Sequence, residues 1–263
     1  MNLQLKGKKA FISGATQGIG FSIAQQLLEE GASVIINGRN DKKIKQAKKK
    51  LQQQFPEGEI SAVVADFAQR EDAVKLSEEL TDIDILINNV GIFGINDFYD
   101  VTDEDWYHYF EINVMSGVRL SRQLLPGMIK RNSGRIIFIS SESGVNIPEN
   151  MIHYGVTKAA MSALSNGLSK LTKGTAVTVN TILGGPTYSD GVAETVEQIA
   201  KAQNLTVEQM KDIIIQNSNP HILLQRFIHP EEIANLAVYL SSSLSVATNG
   251  ASLRADSGVL KVI

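Results

Sequence analysis

One tyrosine and one lysine, Tyr154 and Lys158, stand four residues apart in a stretch that could do acid–base chemistry. The residues after them have helical apolar spacing, so both side chains are expected on one helix face, one turn apart. A tyrosine has an ordinary pKa of about 10, and a nearby ammonium lowers that pKa by favouring the phenolate. The pair could then exchange a proton near neutral pH. Seen alone, such a pair is more often a half-buried aromatic and a solvated charge.

Two further polar residues, Ser141 and Asn113, could complete the site. Ser141 follows an apolar run and lies thirteen residues before Tyr154, so the loop between them can fold back. A serine after a strand is otherwise a common turn former. Asn113 interrupts an apolar helical stretch that starts with a capping box at Thr102 and runs to about Pro126. A buried asparagine needs partners, so Asn113 is expected to bond neighbouring backbone or to belong to a proton path.

The elements that must position these residues begin with strand, glycine turn, helix and strand. A short apolar run ends at Ser13, the turn carries Gly14, Gly18 and Gly20, and an amphipathic helix from Phe21 leads to a second apolar run. Glycines let the backbone approach a pyrophosphate, and a helix N-terminus offers free N–H groups, so this βαβ unit indicates dinucleotide binding. Later apolar runs predict strands at Ile60–Ala65, Ile83–Ile87, Arg135–Ile139, Thr175–Ile182 and Ala251–Ala255.

The end of the second strand bears on the choice between NAD and NADP. NAD-binding proteins usually carry an acidic residue there to bond the ribose 2′-hydroxyl. This chain has Asn37-Gly38-Arg39-Asn40, and a guanidinium can hold a 2′-phosphate by a forked contact. NADP(H) is therefore predicted, with an ordinary loop arginine as the alternative for Arg39. Asp66 and Asn89 end later strands and are expected near the adenosine half of the cofactor; for Asp66 a simple turn is the alternative.

Composition limits the remaining possibilities. The chain has 263 residues, 43% of them hydrophobic, a formal net charge of -3 and no cysteine. Disulfides, thiolate catalysis and cysteine metal sites are excluded, no metal is predicted, and the charge gives no reason to expect nucleic acid or an anionic membrane as partner. There is no signal-peptide pattern and no apolar run long enough to span a bilayer, so a cytoplasmic protein is expected. Without internal repeat or linker, residues 1–263 are predicted to form a single domain.

The stretch from residue 188 to residue 227 breaks the alternation of strand and helix. It is largely helical in pattern and carries a capping-box candidate at Thr206. A segment this long between two sheet elements is typical of a lid or substrate wall. Its apolar residues indicate either a substrate with an apolar part or packing against another subunit.

Four motifs in this order resemble the classical short-chain dehydrogenase/reductase family. Ser13-Gly-Ala-Thr-Gln-Gly-Ile-Gly20 is similar to its cofactor turn, and Asn88-Asn-Val-Gly91 to its Asn-Asn-Ala-Gly element. The catalytic tetrad of the family would fall on Asn113, Ser141, Tyr154 and Lys158, and residues 249–258 resemble its C-terminal region. The resemblance covers nearly the whole chain except the lid. It implies an α/β, Rossmann-type doubly wound seven-stranded parallel sheet, with helices on both faces and a helical substrate lid.

The resemblance also implies roles for single residues. Tyr154 would protonate the carbonyl oxygen in reduction, while Lys158 would lower the pKa of Tyr154 and bond the nicotinamide ribose. Ser141 would bond the substrate oxygen, Asn113 would hold a water linked to solvent, and the backbone of Thr187 would meet the carboxamide. The implied cofactor-binding residues are Gly14, Thr16, Gln17, Gly18, Ile19, Gly20, Arg39, Asp66, Phe67, Asn89, Tyr154, Lys158 and Thr187.

Two departures from the family pattern affect these implications. The usual Pro-Gly after the sixth strand appears as Gly184-Gly185-Pro186-Thr187, a turn that still allows cofactor contact. Gln17 stands where NADP-using members often carry a basic residue, so the NADP prediction rests on Arg39.

The predicted function is hydride transfer between NADP(H), with NAD possible, and a small-molecule carbonyl or alcohol, with Tyr154 as general acid–base. A homo-oligomer, tetramer or dimer, is expected from the family. The alternatives are a 3-oxoacyl thioester reductase of fatty-acid type and a cofactor-binding sensor or scaffold without turnover. The complete tetrad argues against the sensor, because a binder has no need of Tyr154 and Lys158 together.

Overall fold

A computed structural model of the chain describes residues 2–261. The strands in this range are β1 Lys9–Ile12, β2 Ser33–Gly38, β3 Ile60–Val64, β4 Ile85–Asn88, β5 Arg135–Ser141, β6 Thr178–Gly184 and β7 Ser252–Ala255. The α-helices are α1 Gly18–Glu29, α2 Asp41–Gln54, α3 Arg70–Glu79, α4 Asp103–Phe110, α5 Ser116–Lys130, α6 Ile152–Lys170, α7 Asp190–Ala202, α8 Val207–Ser218 and α9 Pro230–Ser241. One wide π-helical turn, Glu111–Met115, joins α4 to α5.

The strands form one parallel sheet in the order β3-β2-β1-β4-β5-β6-β7, which confirms the predicted doubly wound fold. Every residue of β5 and β6 is buried, as expected when helices cover both faces of a parallel sheet. Successive residues of β1 enter different cores. Ile12 packs with residues of α1, α2 and α9, whereas Phe11 packs with residues of α3, α5 and α6.

The chain reverses direction across the sheet between β1 and β4. From β1 it passes outward to β2 and β3, then crosses back to β4 on the other side of β1. The connection that leaves β1 leads to β2 on one side, whereas the connection that leaves β4 leads to β5 on the other, so the two loops diverge beyond the carboxyl ends of these adjacent strands. Such a switch point is where open α/β sheets bind ligands.

The predicted strand ends differ from the observed ones by up to three residues, and two helices differ in ways that bear on the site and the core. Helix α1 begins at Gly18 rather than Phe21, so the second and third glycines of the turn already belong to its first turn. The helix predicted to end near Pro126 continues to Lys130. Its residue Met128 is fully buried in the core, and this burial offsets the cost of a proline inside a helix.

The stretch from residue 188 to residue 227 contains α7 and α8. The capping box predicted at Thr206 is present, because its hydroxyl accepts from Gln209 N at 3.2 Å and the Gln209 side chain accepts from Thr206 N at 2.9 Å. Val196 and Met210 form a small apolar core between the two helices. From residue 2 to residue 261, no helix combines the length and apolar character that a membrane crossing requires.

Candidate active site

The predicted tyrosine–lysine pair lies on the first two turns of α6. The Lys158 amino group is 5.6 Å from the centre of the Tyr154 ring, consistent with the helical spacing of the two residues. Lys158 is 5% exposed, and its Nζ donates to the main-chain carbonyl of Ile139 at 3.0 Å. This bond ties α6 to the end of β5, where the chain reaches Ser141.

Ser141 is the last residue of β5 and caps a short 3₁₀ turn, Glu142–Gly144. Its hydroxyl oxygen accepts from Ser143 N at 3.1 Å, and its hydroxyl hydrogen is donated to the Glu142 carboxylate. Ser141 and Tyr154 line the same cleft, so the structure brings the predicted hydroxyl and phenol together. The role of Glu142 had no counterpart in the sequence analysis.

Asn113 occupies the π-helical turn and is 1% exposed. Its Oδ1 accepts from Ile92 N at 2.8 Å, while its Nδ2 donates to Ile92 O at 3.0 Å and to Thr157 Oγ1 at 2.9 Å. Thr157 in turn donates to the carbonyl of Tyr154 at 2.7 Å. Asn113 therefore joins the loop after β4 to the helix that carries the tyrosine. Both amide hydrogens are used, so a water held by this residue must bind through one of its oxygen atoms.

Burial dominates the electrostatics of the pair. Burial raises the pKa of Tyr154 above its ordinary value; a hydrogen bond with Ser141 acts in the opposite direction, and the Glu142 charge raises it further. Burial lowers the pKa of Lys158 to about 8. Lys158 was expected to lower the Tyr154 pKa, but in the structure the loss of solvent is the largest influence on that pKa and raises it. Tyr154 is consequently protonated at neutral pH.

A second cleft, of about 430 Å³, opens beyond the carboxyl ends of β1, β2 and β3. Of the predicted cofactor residues, it is lined by Gly14, Thr16, Gln17, Arg39, Asp66 and Phe67. Lys43, on the first turn of α2, joins Arg39 in the lining and adds a second positive charge. One oxygen of Asp66 accepts from Ala68 N at 3.0 Å, so this residue also forms the strand-end turn considered as its alternative.

The glycine turn fits the close approach of a dinucleotide. Gly18 has a φ of +58°, a left-handed conformation that favours glycine, and it starts α1. A Cβ on Gly20 would lie 2.5 Å from Asn89 Nδ2 and 2.7 Å from the carbonyl of Gly14, so no side chain fits there. The turn thus places bare backbone and a helix N-terminus at the edge of the cleft, and this combination suits a diphosphate.

Several predicted cofactor residues do not face this cleft. The Asn89 side chain donates to the carbonyls of Ser13 and Gly14 at 3.0 and 2.9 Å, so it braces the glycine turn instead of reaching outward. Gly20 is buried beneath the turn. Ile19 and Thr187 line the neighbouring cleft, together with Tyr154.

Two residues missed by the sequence analysis shape the site through long-range contacts. Thr157 links Asn113 to α6; the only sequence signal was its place beside Lys158. Asp190, at the start of α7, accepts from Gly18 N at 2.7 Å across 172 residues of sequence. No local pattern could have paired them.

Comparison with known proteins agrees with this geometry. A family model described as short chain dehydrogenase matches residues 8–200. The chain is 41% identical over 263 residues to the uncharacterized oxidoreductase YvaG of Bacillus subtilis, covering 100% of both chains. It is 43% identical over 264 residues to a second such protein of that organism, YvrD, with 99% of each chain covered. A solved structure of L-sorbose reductase from Gluconobacter frateurii, complexed with NADPH and L-sorbose, matches with a TM-score of 0.93 at 30% identity over the whole of both chains.

A doubly wound sheet with a glycine turn at its switch point and a tyrosine–lysine pair beside it defines an NAD(P)-dependent oxidoreductase. The chain belongs to the short-chain dehydrogenase/reductase family.

Proposed function

We propose that the chain is an NADPH-dependent reductase of ketone or aldehyde groups, with Tyr154 as the proton donor. The observation that carries this proposal is that Ser141 and Tyr154 line one cleft, with the Lys158 amine 5.6 Å from the tyrosine ring. When bound, NADPH would supply the hydride. Tyr154 would protonate the carbonyl oxygen, Ser141 would orient that oxygen once its hydroxyl hydrogen turns from the Glu142 carboxylate to the substrate, and Lys158 would stabilise the phenolate left behind.

The protonation states support reduction as the favoured direction at neutral pH. Because burial raises the Tyr154 pKa, the phenol keeps the proton that a carbonyl oxygen must receive. Oxidation of an alcohol needs the phenolate, so it should become faster as the pH rises. The same site would then catalyse both carbonyl reduction and alcohol oxidation, and a higher pH would favour oxidation.

The cofactor cleft supports NADPH over NADH. Arg39 and Lys43 line it, β2 ends in Gly38 rather than in a carboxylate, and the similar L-sorbose reductase is complexed with NADPH. In this proposal the first turn of α1 holds the diphosphate, and Asp66 and Phe67 lie against the adenosine half. By analogy with the family, we also propose that Lys158 bonds the nicotinamide ribose and that the Thr187 backbone contacts the carboxamide.

Arg39→Ala should weaken NADPH binding by about 10- to 100-fold, the equivalent of one charge-assisted hydrogen bond, and leave NADH binding nearly unchanged. The reason is that only NADPH carries the 2′-phosphate. Titration of both cofactors into the purified protein, followed by nicotinamide fluorescence, measures the two dissociation constants. Lys48→Ala, an exposed lysine on α2 outside the cleft, is the matched control. Equal weakening of both cofactors, or tighter NADH binding by the unmodified protein, would contradict the NADPH assignment.

Asp190→Asn should tighten NADPH binding by about 2- to 5-fold. The Asp190 carboxylate accepts from Gly18 N, one of the N–H groups that a diphosphate at the start of α1 would use, and its charge repels the diphosphate. The same fluorescence titration reports the change. Glu194→Gln removes an exposed charge from the same helix and should have no effect. Weaker binding by the asparagine variant would show that Asp190 holds the turn open instead of competing for it.

The direct test of the function is cofactor consumption by the purified protein. NADPH and NADH are supplied separately with ketones, aldehydes, ketoses and 3-oxoacyl thioesters, and Tyr154→Phe is run in parallel. Oxidation of NADPH that requires both a carbonyl compound and Tyr154 supports the proposal. Tight NADPH binding with no turnover on any compound would favour the sensor alternative.

The remaining predictions concern the whole molecule. We infer that residues 1–263 act as a single domain in which α7 and α8 form a wall of the substrate cleft; Val192, Asn217 and Ser218 line that cleft and support this role. A cytoplasmic homo-oligomer, tetramer or dimer, is carried over from the family. Size-exclusion chromatography with light scattering tests the assembly.

A further inference from the structure

The cleft beside Tyr154 has an unbalanced charge. It has a volume of about 730 Å³, within the range of small-molecule sites. Among the described residues that line it, two carry a formal charge at neutral pH, and both are carboxylates: Glu142 and Glu149. The rest of its polar lining consists of hydroxyl, amide and backbone groups, which include Asn146, Asn150, Asn217 and Asn219. A substrate in this cleft therefore contacts carboxylates and neutral polar groups, while the Lys158 ammonium beside Tyr154 is buried and does not line the cleft.

Glu142 lies next to the reacting groups and is held in place. One of its oxygens, Oε2, accepts from the Ser141 hydroxyl, from Ser143 N, and from the Ser143 hydroxyl at 2.8 Å. The other oxygen, Oε1, makes no hydrogen bond to any residue from 2 to 261. The side chain is half-buried, whereas Glu149 is exposed at the rim. A fixed carboxylate with one free oxygen thus stands beside the serine that would orient the carbonyl.

Two consequences follow for a bound ketone. A substrate hydroxyl near the carbonyl can donate to the free carboxylate oxygen, and a hydrogen bond with an ionised acceptor is stronger than a neutral one. A carboxylate or phosphate on the substrate would instead face a like charge in a partly desolvated site, where repulsion is stronger than in water. The effect of Glu142 on the pKa of Tyr154 indicates that its charge reaches the reacting groups.

We propose that Glu142 is a specificity-determining residue, which makes the cleft select uncharged, hydroxyl-bearing ketones and reject ketones that carry an anionic group near the carbonyl. The proposal rests on the reductase function above and specifies its substrate class. Glu142 selects the substrate by charge and by accepting a hydroxyl, whereas Tyr154 supplies the proton.

Two matched pairs of compounds test the proposal. Acetoacetamide and acetoacetate share size and ketone but differ in charge; hydroxyacetone and 2-butanone differ by a hydroxyl in place of a methyl. For each compound kcat/KM is measured with NADPH. A compound that is not turned over is measured by its Ki against the best uncharged ketone of the panel. The unmodified protein should prefer acetoacetamide and hydroxyacetone within their pairs by about 10-fold or more.

Glu142→Gln keeps the shape and the acceptor atom for Ser141 but removes the charge. It should reduce the acetoacetamide-to-acetoacetate ratio by about 10-fold. Glu142→Asp keeps the charge and should preserve most of that ratio. Glu149→Gln removes the exposed rim charge and should change the ratio less than 3-fold, since solvent screens that group.

The result that overturns the proposal is an acetoacetamide-to-acetoacetate ratio equal in Glu142→Gln and the unmodified protein. Equal use of both compounds by the unmodified protein would overturn it without any variant. Failure of the reductase function would look different, because no compound would then cause Tyr154-dependent NADPH oxidation.

Discussion

Replacement of Tyr154 by phenylalanine should reduce kcat for carbonyl reduction by about 100- to 10,000-fold, the range that general acid–base catalysis contributes. The variant loses the phenolic proton, which burial keeps in place at neutral pH. It retains the aromatic ring, whose centre lies 6.4 Å from that of Phe93 in an edge contact. The fold and the affinity for NADPH should therefore change little, and the loss should appear in the chemical step. Single-turnover oxidation of bound NADPH, with substrate in excess, measures that step directly.

Tyr99→Phe is the control for this experiment. Tyr99 is 92% exposed and does not line the Tyr154 cleft, so removing its hydroxyl should leave turnover unchanged. If Tyr154→Phe kept the single-turnover rate within a factor of two or three, the proton would have to come from another group. The Lys158 amine, 5.6 Å from the ring, would then be the next candidate.

The architecture was predictable because buried parallel strands have a simple signature. Runs such as Ile136–Ile139 are apolar without alternation, and the glycine turn after β1 marks the first crossover. Strand ends were less predictable: the sixth strand was expected at Thr175–Ile182 but spans Thr178–Gly184. Thr175 N donates to the carbonyl of Thr172 at 3.0 Å, so the first residues of that β-branched run form a turn instead of a strand.

Which side chains form the candidate site was predictable from motif spacing, but their contacts were not. Ser141 and Tyr154 face one cleft as expected, because the ends of a strand and the start of the following helix meet there. The bond of Asn113 to Thr157 joins residues 44 apart, and it depends on a π-helical turn that the helical periodicity did not indicate. The carboxylate of Glu142 appeared only as one more polar residue in a serine-rich turn.

The pKa values show a second limit of sequence reasoning. From sequence, Lys158 was expected to act on Tyr154 as a fixed positive charge. In the structure Lys158 is only 5% exposed. Burial disfavours its charged form, so the pKa of Lys158 falls to about 8. Charge proximity is visible in a sequence motif, whereas desolvation depends on packing around the residue.

Replacement of Lys158 by methionine should have opposite effects on stability and on activity. A factor of ten in a protonation equilibrium is about 1.4 kcal/mol, so a buried ammonium whose pKa falls to about 8 costs about 3 kcal/mol of folding free energy at neutral pH. Methionine removes that cost but leaves the Ile139 carbonyl without the lysine donor, a loss of about 1 kcal/mol. The free energy of unfolding at pH 7 should therefore rise by about 2 kcal/mol. Turnover should fall by about 100-fold or more, because the phenolate loses its cation.

The pH dependence of unfolding distinguishes this explanation from better packing by methionine. The pKa of Lys158 is lower in the folded than in the unfolded state, so from about pH 8 upward the unfolded chain binds the extra proton and the unmodified protein gains stability as the pH rises. The variant lacks that gain, and its advantage should shrink between pH 7 and pH 9, a range that stays about one unit below the ordinary tyrosine pKa of about 10. Urea unfolding at several pH values measures this, with Lys170→Met, an exposed lysine of α6, as control. A stability advantage that stays constant with pH would mean that packing is its cause. If the advantage shrinks as expected, the buried Lys158 ammonium destabilises the folded protein, and the proposed proton transfer by Tyr154 explains why the chain carries it there.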